Sequence, residues 1–355
     1  MFKFKTKMAI KNFTLIGALV AISSNVFASD YKWTFSQPWT RPITDKVIED
    51  FIDKVDEYSN GAIDIKLYKN GLLGSHEETF HGVQDGSITI GIFSPYAKII
   101  PGGVLNWMPW AISNWEAAEE AYRVGGPLHG VLETAYNEVG MHTLMHVSQG
   151  AYGIGNTVRP IRKSEDFKNL KIRVSGSLGL VRALEGMGAG TGMTLQTLPW
   201  SEIYNGLSRG VIDGNWTMWP SLVDERHAEV LDYYSDINFV WDNQNVAINS
   251  DVWNELPENL KSAVKRAAAE SQEYSHKLHK EAESNYIQEL EELDGFTIVR
   301  LTSEERDALR EASNIDAIWE ELADTWLEKA YPNQNMSEKL RSQLKELNNS
   351  SRNSD

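Results

Sequence analysis

The chain has 355 residues, a formal net charge of −16 and no cysteine. The acidity argues against nucleic acid and anionic membrane surfaces as partners, and the missing cysteine excludes a disulfide scaffold and Cys–His nucleophilic chemistry. The length is enough for two modest domains, each with a core.

The first 28 residues read as a secretory signal peptide. Lys3, Lys5, Lys7 and Lys11 precede a short apolar run, Phe13 to Ile22, and Val26-Phe27-Ala28 predicts cleavage after Ala28. The run is too short to span a bilayer comfortably, and every later apolar stretch is interrupted by charge, so no membrane insertion is expected. With no lipobox cysteine, the expectation is a soluble periplasmic protein. The segment carries four lysines and no acid, so its removal leaves a still more acidic chain. Any anion site must therefore be built locally, from arginine and backbone N–H groups.

Tyr31 to Phe35 alternates as a strand. Val47, Ile48, Phe51, Ile52 and Val55 have helical spacing within Ile43 to Tyr58, and Asn60-Gly61 ends that helix. Ala62 to Tyr68 alternates again, Thr79 to Gln84 is a short helix, and Ser87 to Phe93 is a third strand. This β-α-β-α-β rhythm predicts an open α/β domain with parallel strands. Trp115 to Val139 reads as one helix and Met141 to Val147 as a strand. A second α/β unit follows: strand Lys168 to Val174, helix Leu178 to Met187, helix Ser201 to Ser208 and a short strand at Val211-Ile212. Pro257 to Leu293 is one long helix with Pro257 in its first turn. The expected division is 1–28 signal peptide, 29–150 lobe 1, 151–248 lobe 2, and 249–355 a C-terminal region. That last region holds the long helix shared by both lobes and a disordered polar tail, NNSSRNSD. Two α/β lobes without a linker predict a chain that crosses between them more than once and leaves a cleft.

Signals for catalysis, metal or cofactor are weak. His76 and His81 are five residues apart, not the four that place two imidazoles on one helix face, so both are expected as exposed helix residues. His142 and His146 lie four apart in a strand, with no third ligand, and are expected to pack or face solvent. His276 and His279 are expected on a solvated face. There is no G-x-S-x-G elbow, no Walker loop and no dinucleotide fingerprint; the alternating Gly186, Gly188, Gly190 and Gly192 follow a helix and read as a turn.

Arg173 stands out. It lies between Ile172 and Val174 in a short strand, where a charge is costly to bury without a partner. Either a protein carboxylate or an anionic ligand would satisfy it.

Several segments in order carry a family resemblance: Leu170-Lys171-Ile172-Arg173-Val174, Leu198-Pro199-Trp200-Ser201-Glu202-Ile203-Tyr204 and Gly210-Val211-Ile212-Asp213-Gly214. In the first lobe Ser59-Asn60-Gly61, Asn70-Gly71-Leu72-Leu73-Gly74-Ser75 and Val83-Gln84-Asp85-Gly86 join them. Over essentially the whole chain after residue 28, the sequence resembles the solute-binding subunits of tripartite ATP-independent periplasmic (TRAP) transporters. The resemblance implies a two-lobe α/β periplasmic binding protein with open sheets, hinge crossover strands and a long lobe-spanning C-terminal helix. It also implies closure on a small organic acid, delivery to TRAP membrane permease subunits, no enzyme activity, and an Arg173 that pairs with the ligand's carboxylate. A guanidinium offers a carboxylate two parallel donors, which fixes orientation as well as energy.

Two departures bear on specificity. Thr217 stands where many members carry a polar Asn facing the ligand. A second arginine found in some members aligns near Gly153, so a two-arginine dicarboxylate clamp is in doubt. The chain has 12 Trp. Trp200, Trp216 and Trp219 flank the Arg173 motifs and are candidate cleft residues. Gln37, Trp39 and Tyr96, after strand ends of the first lobe, and Asp242, Asn243 and Gln244, in the crossover, complete the set, since strand-end loops are where open α/β sheets place ligands. A sensor's binding component, or an exported enzyme on the same architecture, are the rival readings.

Overall fold

The computed structural model describes residues 30–94 and 99–351. The segment expected to be a signal peptide with its cleavage site, Tyr96, and the last four residues of the polar tail lie outside the described residues.

The described residues form one sheet of nine strands. In chain order they are β1 (Tyr31–Ser36), β2 (Ile63–Tyr68), β3 (Ile90–Phe93), β4 (Met141–Asn156), β5 (Lys171–Val174), β6 (Thr194–Thr197), β7 (Gly214–Thr217), β8 (Tyr233–Asn249) and β9 (Thr297–Arg300). The spatial order is β2-β1-β3-β8-β4-β7-β5-β6, with β9 beside β8. β1 pairs in parallel with β2 and β3, and β5 in parallel with β6 and β7. These are the two predicted α/β units. The 16-residue β4 and the 17-residue β8 join them, antiparallel to each other from Met141↔Asn249 to Asn156↔Tyr233. They are the crossover strands. Register shifts in β4 at Thr143/Met145, Ser148/Gly150 and Tyr152/Ile154 let strands this long bend between the lobes.

The helices are α1 (Pro42–Ser59), α2 (His76–Asp85), α3 (Trp115–Tyr122), α4 (Pro127–Asn137), α5 (Leu178–Met187), α6 (Ile203–Ser208), α7 (Trp219–Val223), α8 (Ser250–Glu255) and α9 (Glu258–Glu291), followed by shorter helices within 303–351. Pro42 sits in the first turn of α1 and Asn60, in the left-handed region at φ 54°, ends it. Ser75 and Glu78 form a reciprocal capping box on α2. Val47, Ile48, Phe51 and Val55 of α1 pack with Trp33 and Phe35 of β1 in the lobe 1 core.

With 34 residues, α9 is about 50 Å long. Its early residues Leu260, Val264, Ala267 and Ala268 enter the lobe 1 core, and Leu290 near its end packs with Ile203, Leu207 and Leu231 of lobe 2. It therefore braces both lobes. None of the described helices is long and apolar enough to cross a membrane.

Several local expectations are corrected. The helix expected from Trp115 to Val139 is two helices, α3 and α4. Gly125 turns the chain at φ +80°, a Cβ on Gly126 would lie 2.4 Å from the Glu120 carbonyl oxygen, and Pro127 opens α4. The strand expected at Val211-Ile212 is displaced to Gly214–Thr217. A Cβ on Gly214 would sit 2.4 Å from the Gly155 carbonyl oxygen, so glycine lets β7 close against β4. Asp213 locks the entry to it: its backbone N–H donates to Lys171 O and its Oδ2 accepts from Lys171 N, both at 2.8 Å. The strand begun at Met141 runs on to Asn156. The tail is helical to Ser351, and Asn348 Oδ1 accepts from the Ser113 backbone N–H at 3.0 Å.

Candidate functional site

Arg173 is almost wholly buried near the C-terminal end of β5. Its Nε donates to the Leu198 carbonyl at 2.9 Å, which fixes the plane of the guanidinium. Its Cζ lies 5.4 Å from the Trp200 ring centroid and 5.3 Å from that of Trp216. Cation–π contact of this kind holds an arginine in low dielectric while leaving its N–H edge directed. Trp200 and Trp216 thus both lie against Arg173. Thr217 is fully buried, with Oγ1 3.3 Å from His227 Nδ1.

A second buried arginine, Arg41, faces this group from the first lobe. It is the residue before α1, at the end of the loop that begins at Gln37 after β1. Its Nε donates to Glu225 Oε1 at 2.7 Å, Nη2 donates to Glu225 and to Ser221 Oγ at 3.2 Å, and Nη1 donates to Gln149. Its Cζ lies 5.9 Å from the Trp200 ring, so both arginines approach the same indole. The other oxygen of Glu225 accepts from Trp200 Nε1 and lies 3.7 Å from His227 Nε2. Arg41 belongs to the first lobe and Glu225, Ser221, Trp200 and His227 to the second, so this network bridges the cleft.

The electrostatics follow from burial. Burial pulls the Glu225 carboxyl upward, but Arg41, His227 and the hydrogen bonds from Arg41 and Trp200 outweigh it and leave the pKa lowered. Burial pushes His227 down to about 4 against the attraction of Glu225, so it is neutral near pH 7. Burial raises Asp242 to about 7, while Arg41 and hydrogen bonds from Gln244 and Tyr152 oppose the rise.

The remaining expected residues divide. Gln37 is fully buried and donates to Asp45 Oδ1 at 2.6 Å. Trp39 stacks on His76 with centroids 4.6 Å apart and planes 8° apart. Gln244 Nε2 donates to Asp242 Oδ1 at 2.8 Å, and Gln244 Oε1 accepts from Ser94 Oγ at 2.8 Å. Asp242 and Arg41 lie close enough to perturb each other's titration. Asp242 Oδ2, Gln37 Oε1, Trp39 Nε1 and Gln149 Nε2 are buried and have no hydrogen-bond partner among the described residues.

Two expected residues lie elsewhere. Trp219 packs edge-on against Tyr234 at 4.5 Å, in the core with Ile203, Leu207 and Leu222. Asn243 alternates away from Asp242 and Gln244 along β8 and bonds Asn106, His146 and Ser148 in a buried structural network. Tyr96 is outside the described residues.

The histidine expectations also change. His76 is half-buried, with burial lowering it to about 4, because Trp39 covers its ring. His279 is buried rather than solvated, and its Nδ1 lies 2.9 Å from Ser275 O. His276 packs edge-on to Trp115 at 5.3 Å. Among the described residues no group of three His, Cys, Asp or Glu side chains is placed to hold a metal ion.

Sequence reasoning missed Arg41, Gln149, Ser221, Glu225 and His227. Arg41 had a usable signal, since it closes the strand-end loop that yielded Gln37 and Trp39 and precedes a helix-opening proline. Glu225 had none; only the closed fold brings it to Arg41.

A cavity of about 630 Å³ lies away from this cluster, between residues 109–116 and the C-terminal helices. Two of its three arginines are paired, Arg306 with Asp236 at 3.8 Å and Arg341 with Asp316 and Asp324 at 3.1 Å each. Two nearly fully buried arginines, Arg41 and Arg173, converge on one indole in the cleft, which makes the cleft the functional candidate.

Gly153, the position of the doubtful second arginine, admits no side chain. A Cβ there would lie 2.4 Å from the Ser235 carbonyl oxygen and 2.7 Å from the Tyr234 ring.

The family model for bacterial extracellular solute-binding proteins, family 7, matches residues 36–325. The C4-dicarboxylate-binding periplasmic protein DctP of Rhodobacter capsulatus is 25% identical over 278 residues, covering 77% of this chain and 80% of that protein. A TRAP periplasmic solute binding protein from Ochrobactrum anthropi superposes with a TM-score of 0.77 at 24% identity, covering 88% of this chain and 97% of that one. The periplasmic ectoine-binding protein of Halomonas elongata gives 0.77 at 21% identity, covering 90% and 99%. With most of its length matched by the family model and both lobes matched by solved TRAP binding proteins, the chain belongs to the family 7 bacterial extracellular solute-binding proteins.

Proposed function

We propose that this protein is the periplasmic solute-binding subunit of a TRAP transporter, exported by its N-terminal segment, and that it captures a small organic acid between its lobes. The observation that carries the reading is the setting of Arg173. A nearly fully buried guanidinium is held by Trp200, Trp216 and the Leu198 carbonyl in a cleft bridged by Arg41 and Glu225. In this reading the ligand's carboxylate docks on Arg173. Gln37, Trp39, Asp242 and Gln244 meet the remainder, and closure of the lobes removes water and strengthens the ion pair. Relatives include binding proteins for C4-dicarboxylate, ectoine and 2,3-diketo-L-gulonate, all small polar solutes. Delivery to a membrane permease follows from the family.

A thermal-shift screen of small organic acids tests this, because a ligand that binds only the folded state raises its melting temperature. At least one carboxylate should raise it in a concentration-dependent way. No shift from any acid in the panel at millimolar concentration would contradict the reading.

A further inference from the structure

We propose that Glu225 is a specificity-determining residue: by holding Arg41 across the cleft it denies the site a second carboxylate clamp and selects monocarboxylates over dicarboxylates. The inference rests on the proposed capture of an organic acid and adds which class of acid the cleft takes.

The first support is the engagement of Arg41, four of whose five N–H donors are taken. Its Nε and Nη2 donate to Glu225, Nη2 also to Ser221, and Nη1 to Gln149. All three guanidinium nitrogens are engaged. A second ligand carboxylate could take the Nε–Nη2 edge of Arg41, the edge that offers two parallel donors, only by displacing Glu225 from a buried ion pair, which is costly when the displaced carboxylate stays in low dielectric. Displacement is further resisted because the other Glu225 oxygen is held by Trp200 Nε1, whose ring also covers Arg173.

The second support is Gly153, the strand partner of Thr217. Gly153 pairs with Thr217 in the β4–β7 register, and neither an arginine nor any other side chain fits there against Ser235 O and Tyr234. The usual geometric route to a second clamp is closed by backbone, so Arg41 is the remaining described arginine that approaches Trp200 beside Arg173.

The third support is like charge. Glu225 and the fully buried Asp242 both stand in the wall near Arg41. A second anionic group on the ligand would meet the Glu225 carboxylate in a water-poor site, where like-charge juxtaposition is unfavourable. A neutral or hydrogen-bond-donating group would instead find acceptors: Asp242 Oδ2 and Gln37 Oε1 are buried without partners among the described residues. Glu225 therefore supplies both an attraction spent internally and a repulsion aimed outward.

The test compares succinate with succinamate, which has the same length and shape but one carboxylate replaced by an amide. Calorimetric titration of the wild-type protein should show succinamate binding at least tenfold tighter than succinate. In Glu225→Gln, which keeps a hydrogen-bonding side chain of the same size and removes the charge, succinate should gain at least tenfold and the preference should shrink or invert. Wild-type protein that binds succinate as tightly as succinamate, or a Glu225→Gln protein whose succinate affinity is no better than wild type (including no binding in either), overturns the proposal. The wild-type comparison stands even if the variant folds poorly. Failure of the organic-acid reading itself is seen separately, as no acid in the thermal-shift panel stabilising the wild-type protein.

Discussion

Arg41 and Glu225 are 184 residues apart in sequence and meet at 2.7 Å between Nε and Oε1, one from each lobe. Both side chains are mostly shielded, at 7% and 23% exposure, so water screens the pair weakly. Removing one partner leaves a charge in low dielectric. Arg41→Ala should destabilise the protein by about 3 kcal/mol in urea unfolding at pH 7. A loss below about 1 kcal/mol would show that the pair is no more than a surface contact.

Gly153 sits where β4, β7 and β8 crowd together. Gly153→Ala should cost about 1–3 kcal/mol through overpacking against Ser235 O and the Tyr234 ring. Gly176→Ala, where an added Cβ meets nothing within 4 Å, is the control and should be near neutral. Equal effects at both positions would contradict the packing argument.

Trp219 and Trp200 should separate cleanly. Trp219 is in the lobe 2 core, so Trp219→Ala should cost about 3–5 kcal/mol of stability. Trp200 is only half-buried and touches both arginines, so Trp200→Ala should cost about 1–2 kcal/mol in unfolding but reduce ligand affinity several-fold. Chemical denaturation paired with calorimetry reads both, and the opposite ranking would return Trp219 to the cleft.

Stability should depend on pH with a definite sign. Burial lowers His76, His142, His227 and His279 to about 4 each, against about 6.5 in an unfolded chain. Between these values the unfolded state binds more protons, so melting temperature should fall as pH drops from about 6.5 towards 4. Asp242 acts in reverse. Its folded pKa of about 7 lies above the ordinary carboxylate value, so its contribution is favourable in acid and is lost as pH rises through about 7. Asp242→Asn should therefore compare better with wild type at pH 8 than at pH 5 in thermal melts. A difference of the opposite sign would mean Asp242 is ionised and well compensated by Arg41.

Much of the architecture was legible because local patterns agreed with the fold. The alternation Ile63-Asp64-Ile65-Lys66 is the buried and exposed alternation of β2, and the spacing Val47, Ile48, Phe51, Val55 is the buried face of α1. Arg173 was legible as a charge that a strand cannot bury cheaply. What stayed hidden depends on contacts distant in sequence. Glu225 lies in a charged Asp-Glu-Arg run that looks like surface, and only the approach of the lobes gives it Arg41. Trp219 and Trp216 have similar surroundings in sequence, yet α7 turns one into a core while β7 leaves the other under Arg173. Backbone crowding at Gly153 and Gly214 is equally invisible until the strands are paired.

The most direct test of the account is calorimetric titration of wild type and Arg173→Ala with the acid that gives the largest thermal shift. A carboxylate bound to a guanidinium contributes about 1.5–3 kcal/mol, so the substitution should weaken binding by roughly ten- to hundredfold or more, with the unfolding midpoint little changed. Affinity within a factor of two of wild type in a folded Arg173→Ala protein would contradict the claim that Arg173 receives the ligand's carboxylate.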